Sequence, residues 1–231
     1  DIILNAAMRA PTAGNMMTYS IITVRKEETK KKLAISCDNQ PFIAKAPLIL
    51  IFLADYSKWY KYYEVNGVRE FQKDRGETFA GPSAGSFVLA VQDAVIATEN
   101  AVIAAESLGI GSCYIGDIME QKEYHKTLFN LPEYVFPVAM LTLGYYPEDY
   151  MVPLKERFAE KYVVFEERYN ELSKEDIDDM FRKRDQLFTA KNKYNAKNYA
   201  QMHYNFKVKA PFSKEMQRSV EEALKEWDKK E

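Results

Sequence analysis

The chain is poor in the residues that build metal centres and nucleophilic sites. It holds only two histidines, His125 and His203, and two cysteines, Cys37 and Cys113, among 231 residues. The cysteines form no CxxC pair, which predicts two buried thiols in a reducing, cytoplasmic setting and not a disulfide framework. Isolated histidines and cysteines do not make a metal site. No Ser–His–acid arrangement is suggested either, so the sequence gives little support to a hydrolase or a metalloenzyme.

The chain also lacks a strong charge of either sign. Its net charge is −2, so no overall electrostatic attraction to nucleic acid or to an anionic membrane is expected. Each apolar run is interrupted by polar residues before the roughly 18 positions that a membrane span needs, and no signal peptide is evident. We therefore predict neither a nucleic-acid partner nor a membrane association.

No phosphate-binding loop of a known type is present. The pair Gly109-x-Gly111 comes before a predicted strand, whereas a Rossmann fingerprint follows a strand and opens a helix. An enzyme with so few catalytic side chains would depend on a bound cofactor for the difficult chemical step.

What the chain does have is a regular alternation of apolar strands and helices, with a hydrophobic content of 47% that allows a sizeable core. A long apolar helix is predicted from Leu89 to Leu108, with Gly109 at its left-handed C-cap. Its narrow polar stripe indicates burial on nearly all sides, as in a helix shared between a core and a subunit interface. Continuous or β-branched apolar runs predict buried strands at Tyr19–Val24, Leu48–Leu53, Ser112–Ile115 and Val135–Leu143.

The character of the sequence changes after Tyr145. The apolar run Tyr162–Phe165 predicts an isolated strand, which must pair with a sheet edge in this subunit or another. A capping pattern at Ser173 predicts one helix, and Ser213 is expected to cap a final amphipathic helix. We therefore divide the chain into a domain at 1–168 and a helical extension at 169–231, which is either a cap or a solvated appendage. Residue 1 lies in a helix-like run, so we expect a further segment upstream.

Three other stretches allow two interpretations each. Lys155 and Arg157 would face one side of a strand-like segment, as a phosphate clamp or as a solvated charge pair. The aromatic run from Lys58 to Tyr63 is either the wall of a pocket or a packed helix. The polar stretch 66–85 is expected to be a mobile excursion.

Four segments in this order resemble the FMN-dependent nitroreductase family. They are Ala10-Pro-Thr-Ala-Gly-Asn15 before the first strand, Asp38-Asn-Gln40 before Ala46-Pro47, the stretch Ala101–Gly116, and Lys155-Glu-Arg157. Each motif alone is weak, and the third is the most specific. The family also carries an Arg-x-Ser-x-Arg segment ahead of its first long helix, and this numbering begins after that position.

The resemblance implies an α+β fold, with a central mixed or antiparallel sheet wrapped by helices, in an intertwined homodimer that holds two FMN molecules at its interface. Tyr162–Phe165 would be the exchanged edge strand. The loop Pro11–Asn15 would contact the flavin from the second subunit, Gln40 would bind its pyrimidine side, and Lys155 and Arg157 would hold its phosphate. The cofactor-binding residues implied are thus Pro11, Thr12, Ala13, Gly14, Asn15, Gln40, Tyr114, Ile115, Gly116, Asp117, Lys155 and Arg157.

The family's activity would be hydride transfer from NADH or NADPH, through FMN, to nitroaromatic, quinone or related small-molecule acceptors in ping-pong exchange. Such chemistry needs no catalytic side chain, which agrees with the scarcity of histidine and cysteine. Two other functional hypotheses stay open. One is an FMN storage or sensing module without efficient turnover. The other is a specialised reductase whose aromatic run closes over one substrate.

Overall fold

A computed structural model describes residues 1–151 and 153–228. Contacts within the chain define two units, one formed by Asp1–Pro147 with Glu215–Glu231 and the other by Glu148–Lys214. The predicted boundary at residue 168 lies inside the second unit. The assignment of a flavin-binding domain followed by a helical extension stays a prediction.

The first unit is built on a four-stranded sheet in which every neighbouring pair is antiparallel. Its strands are β1 (Tyr19–Val24), β2 (Leu48–Asp55), β3 (Ile110–Ile115) and β4 (Val135–Tyr145), in the order β1-β2-β4-β3. The central strands β2 and β4 are buried along almost their whole length, as their uninterrupted apolar runs predict. The expected α+β fold with an antiparallel sheet is confirmed.

Helices surround this sheet. The helices of the first unit are α1 (Ile2–Met8), α2 (Glu27–Ser36), α3 (Pro41–Lys45), α4 (Ser57–Val65), α5 (Val68–Asp74), α6 (Ala84–Ser107) and α7 (Lys122–Phe129). The second unit contains α8 (Lys174–Asp185) and α9 (Tyr199–Lys207), and α10 (Pro211–Trp227) follows. Short 3₁₀ helices occur at Ala13–Asn15, Gly116–Met119 and Glu160–Tyr162.

The long helix α6 is the element on which the sheet packs. Ser83 and Ser86 form a capping box at its start, and Gly109 follows its end with a φ of +70°. Alanines repeat along its buried face, which allows close contact with α1 and with all four strands. They are Ala90, Ala94, Ala97, Ala101 and Ala105.

The opposite face of α6 carries exposed apolar side chains. They are Val88, Leu89, Val95, Ile96 and Ile103. By length and composition alone this helix could cross a membrane, and the core helices of soluble proteins pass the same test. The face is therefore an apolar surface on a helix whose other side forms the core.

Several local predictions are wrong. Tyr162–Phe165 is not a strand in this chain. The main-chain N–H groups of Val163 and Val164 donate instead to the carbonyl of Glu160. A strand without a neighbour would leave these groups without a hydrogen-bond partner. The stretch 66–85, expected to be a mobile excursion, contains α5 and the start of α6. Cys113 is exposed, unlike Cys37, because it lies on the edge strand β3.

The final helix begins at Pro211 and not after a cap at Ser213, which suits proline because the first helical residue needs no hydrogen-bonded N–H. Residues 215–227 of this helix pack into the core of the first unit. Trp227 is only 1% exposed, and its ring meets those of Phe87, Tyr56 and Tyr134 edge-on at centroid distances of 5.1, 6.2 and 6.1 Å. The end of α10 therefore belongs to the folded core.

We predict that Trp227→Ala lowers the free energy of unfolding by about 3–5 kcal/mol, because it removes a fully buried indole and leaves a cavity. Urea unfolding followed by far-UV circular dichroism measures this without relying on tryptophan fluorescence. Phe71→Ala is the matched control, since Phe71 is exposed and its loss should change stability by less than about 1 kcal/mol. Equal effects of the two changes would contradict the placement of α10.

Candidate functional site

Two of the predicted site residues meet directly at the end of β3. Gln40 is the N-cap residue of α3, and Asp117 lies in the 3₁₀ helix that follows β3. The Gln40 side-chain Nε2 donates to Asp117 Oδ2 at 2.8 Å and to the Cys37 carbonyl at 2.9 Å. These two bonds use both amide hydrogens, which leaves the Gln40 Oε1 as the group that can accept a hydrogen bond from a ligand.

A buried acid that the sequence reasoning missed lies beside this pair. Glu120 is 4% exposed, and its Oε1 has no hydrogen-bond partner among the described residues. Burial, together with the neighbouring carboxylate of Asp117, raises the pKa of the Glu120 carboxyl to about 8. At neutral pH the Glu120 carboxyl is therefore protonated and can donate to Asp117.

Two other titratable groups near Glu120, Cys37 and His125, are neutral. Burial raises the pKa of the Cys37 thiol to about 12, so this cysteine carries no thiolate for nucleophilic chemistry. Burial also lowers the pKa of His125, whose Nε2 lies 2.8 Å from the Ser36 hydroxyl. Neither residue offers a reactive nucleophile to a ligand.

The predicted loop Pro11–Asn15 is held in place by a buried carboxylate on α6. Asp93, 2% exposed, accepts hydrogen bonds from the Ala13 main-chain N–H at 2.9 Å and from the Thr18 N–H and hydroxyl at 3.1 and 2.6 Å. Gly14 within the loop has a φ of +55°, which glycine adopts at no steric cost. The signal that could have found Asp93 is an acidic residue on the alanine-rich face of the helix.

The aromatic run packs against the same loop. Trp59 Nε1 donates to the Met16 carbonyl at 2.7 Å, and its ring contacts those of Tyr62 and Tyr63. Tyr62 stays largely exposed and lines a small surface pocket with Lys58 and Trp59. Part of the run is thus a packed helix, and part is open to a ligand.

The glycines of the β3 region have separate structural roles. Gly109 ends α6 in the left-handed conformation. A Cβ at Gly111 would lie 2.5–2.9 Å from ring atoms of Tyr146, so the close approach of that ring requires glycine. Ile115 is buried, whereas Tyr114 is half-exposed on this edge strand. The turn from Tyr114 to Asp117 is therefore the part of the region that can meet a ligand.

The structure does not bring all the predicted residues together. The loop Pro11–Asn15 precedes β1 and Asp117 follows β3, and these strands form opposite edges of the sheet. The two edge strands are three strand spacings apart, about 14 Å. Lys155 and Arg157 lie in the second unit, where both are exposed and in a segment that is neither helix nor strand. Their part in a phosphate site stays a prediction.

Comparison with known proteins identifies the family. The model of the nitroreductase family matches residues 1–145, which is more than half of the chain. The chain belongs to the nitroreductase family. This agrees with the α+β fold and the antiparallel sheet described above.

Named relatives support the same assignment. An FMN reductase [NAD(P)H] of Bacillus subtilis (strain 168) is 29% identical over 169 residues, 73% of this chain and 64% of the relative. A Cr(VI) reductase of Pseudomonas sp. (strain G-1) is 30% identical over 142 residues, 62% of this chain and 55% of the relative. The matched region thus spans less than two thirds of these relatives. The structure of NfrA2 from B. megaterium aligns with a TM-score of 0.79 at 31% identity, covering 100% of this chain and 89% of that one.

We predict that Asp93→Asn destabilises the protein by about 1–3 kcal/mol, because the asparagine amide would face main-chain N–H donors and leave at least one of them buried without an acceptor. Urea unfolding measures the loss. Gln92→Ala, a change at the adjacent exposed position, should stay within about 0.5 kcal/mol. If Asp93→Asn were as stable as the wild type, the carboxylate would not be what holds the loop.

Stability should also depend on pH through Glu120. The pKa of Glu120 is about 8 in the folded chain, whereas an unperturbed glutamate has a pKa of 4.5. The free energy of unfolding therefore falls as the pH rises between these two values, and it levels off above the higher one. The slope is at most about 1.4 kcal/mol per pH unit. Urea unfolding at pH 5, 7 and 9 should show this fall, and Glu120→Gln should lack it. Parallel pH curves for the two proteins would exclude Glu120 as its source.

Proposed function

We propose that this protein is an FMN-dependent oxidoreductase that uses NADH or NADPH to reduce nitroaromatic, quinone or related small-molecule acceptors. The observation that carries the proposal is the Gln40–Asp117 pair at the turn after β3, within a chain of the nitroreductase family. The name of the B. subtilis relative, an FMN reductase [NAD(P)H], supports the cofactor and the electron donor.

The residues at the turn fit the pyrimidine side of a flavin. That edge of the ring presents acceptor atoms and one N–H donor, and the free Gln40 Oε1 can accept from this donor. Main-chain groups on the unpaired side of β3 and at Gly116 can meet the neighbouring ring atoms, since β3 pairs on one side only, with β4. Lys155 and Arg157 would supply the cations for the phosphate, with arginine offering two parallel donors.

FMN, when bound, supplies the hydride chemistry, with donor and acceptor occupying one face of the ring in turn. The chain's own task is to hold the ring in one orientation and to leave that face open. Gln40 would orient the pyrimidine edge, and the turn Tyr114–Asp117 would form the wall behind it. No nucleophile is required of the protein, which suits a site whose buried Cys37 and His125 are both neutral.

We further propose that the protein acts as a homodimer. The loop Pro11–Asn15 and the turn at Asp117 adjoin opposite edges of the sheet, so a second copy could bring the loop of one chain to the turn of the other. The exposed apolar face of α6, with Ile96 and Ile103 among its members, is the surface that such a copy would cover. Sedimentation as a monomer in the presence of FMN would contradict the dimer. We also propose a cytoplasmic location, because the chain holds only two cysteines, whereas disulfide-stabilised secreted proteins are rich in them.

The decisive test is whether the purified chain binds FMN and lets NADH or NADPH reduce it. FMN is added, unbound flavin is removed, and the flavin absorbance is followed in anaerobic stopped-flow mixing with each nucleotide. Rapid bleaching, followed by recovery when a quinone or nitroaromatic is added, supports the reductase. Bound flavin that neither nucleotide bleaches would favour storage or sensing, and no bound flavin would overturn the proposal.

We predict that Arg157→Ala weakens FMN binding about 10- to 100-fold, because a charge-assisted hydrogen bond to phosphate is worth about 1.5–3 kcal/mol. Fluorescence titration gives the Kd. Riboflavin, which lacks the phosphate, should bind wild type and variant equally. Lys174→Ala, another exposed cation of the second unit, should leave the FMN Kd unchanged. A parallel loss of riboflavin binding would show that Arg157 does not act through the phosphate.

A further inference from the structure

We propose that Glu120 is a positioning residue whose proton holds the Asp117–Gln40 pair in the arrangement that receives the flavin. The proposal rests on the function above, in that Gln40 is taken to face the pyrimidine edge of FMN. It adds that the binding site contains its own protonation switch, carried by a residue that does not touch the ligand.

The geometry places Glu120 behind Asp117 on the same short turn. The main-chain N–H of Glu120 donates to the Asp117 carbonyl at 3.0 Å, and the Asp117 carboxylate is among the groups that raise the pKa of the Glu120 carboxyl. Glu120 is almost fully buried, and its Oε1 has no partner among the described residues. Two ionised carboxylates cannot lie together in such a place without a large electrostatic cost, so one proton is shared there.

The charged groups that act on Glu120 are all acidic. Asp117 lies on its own turn, Asp38 on the loop after α2, and Glu215 on α10. The nearest cation along the chain, Lys122, is paired with Glu226 at 2.6 Å. The other titratable neighbours, Cys37 and His125, are neutral for the reasons given above. Nothing described in this environment therefore stabilises an ionised Glu120.

Protonation decides what the Gln40 amide can do. With its proton, Glu120 donates to Asp117, and Asp117 accepts from Gln40 Nε2, so the Gln40 carbonyl is directed to the ligand. Without the proton, two carboxylates repel each other and Asp117 is displaced from its position under Gln40. The chain with protonated Glu120 is then the form that binds FMN, and the apparent affinity follows the fraction of molecules in that form.

The experiment is a fluorescence titration of the full-length protein with FMN between pH 6.5 and 9. The pKa of Glu120, raised to about 8 by burial and by its acidic neighbours, makes the competent fraction about tenfold smaller at pH 9 than at pH 7. The FMN Kd should therefore rise about tenfold over that interval. Phosphate is already almost fully ionised at pH 7, since its second pKa is about 6, so it contributes little to this change.

Variants test whether Glu120 is the source. Glu120→Gln keeps a neutral donor toward Asp117, so its FMN Kd should match the wild type at pH 7 and stay flat to pH 9. Asp117→Asn removes the neighbouring charge, which should lower the pKa of Glu120 and move any remaining rise to lower pH. Glu27→Gln is the control, because Glu27 is exposed at the far end of α2 and its loss should leave the wild-type curve unchanged.

The outcomes are separable. A flat wild-type curve, or a rise that persists in Glu120→Gln, would overturn the role of Glu120 while leaving FMN binding intact. Absence of FMN binding by the wild type at every pH would overturn the proposed function itself. If Glu120→Gln does not fold, the pH dependence of the FMN Kd is compared between the wild type and Asp117→Asn. The same midpoint pH in both proteins would exclude Glu120 as the titrating group.

Discussion

The packing of the α6 alanine face against the sheet is the constraint on which the rest of the first unit depends. Small side chains such as Ala94 and Ala101 allow the helix to lie close to the strands, and its length carries three separate features. Asp93 holds the loop before β1, Phe87 packs against the ring of Trp227, and Gly109 ends the helix where β3 must begin. Both edges of the sheet are thereby positioned by one helix.

Two of the buried acids of this unit, Asp93 and Glu120, meet the cost of burial in different ways. Asp93 receives three hydrogen bonds from main-chain and hydroxyl donors, which is the usual way to stabilise a buried carboxylate. Glu120 finds acidic neighbours and an oxygen without a partner, so it keeps its proton instead. A rigid loop results from the first arrangement, and a group that titrates near physiological pH results from the second.

The sequence predicts the parts of this fold that depend on local pattern. Apolar runs predict buried strands such as β2, and Gly109 predicts the end of α6. Short motifs that resemble a known family single out Gln40 and Asp117. The pattern of the final helix predicts an apolar face that includes Trp227, but it does not show what that face packs against. Glu120 was missed because an isolated glutamate carries no pattern. Tyr162–Phe165 was expected as a strand because periodicity does not show whether a pairing edge is available.

The docking of α10 also has a consequence for the order in which the protein folds. Ser219 donates to the Met119 carbonyl at 2.5 Å and accepts from the Lys122 N–H, contacts between residues about 100 positions apart in the chain. Closing so long a loop is entropically costly and slow. During synthesis, the aromatic cleft that receives Trp227 would stay open until α10 leaves the ribosome. The nascent sheet would thus expose an apolar surface for much of translation, the situation in which chaperone binding competes with aggregation.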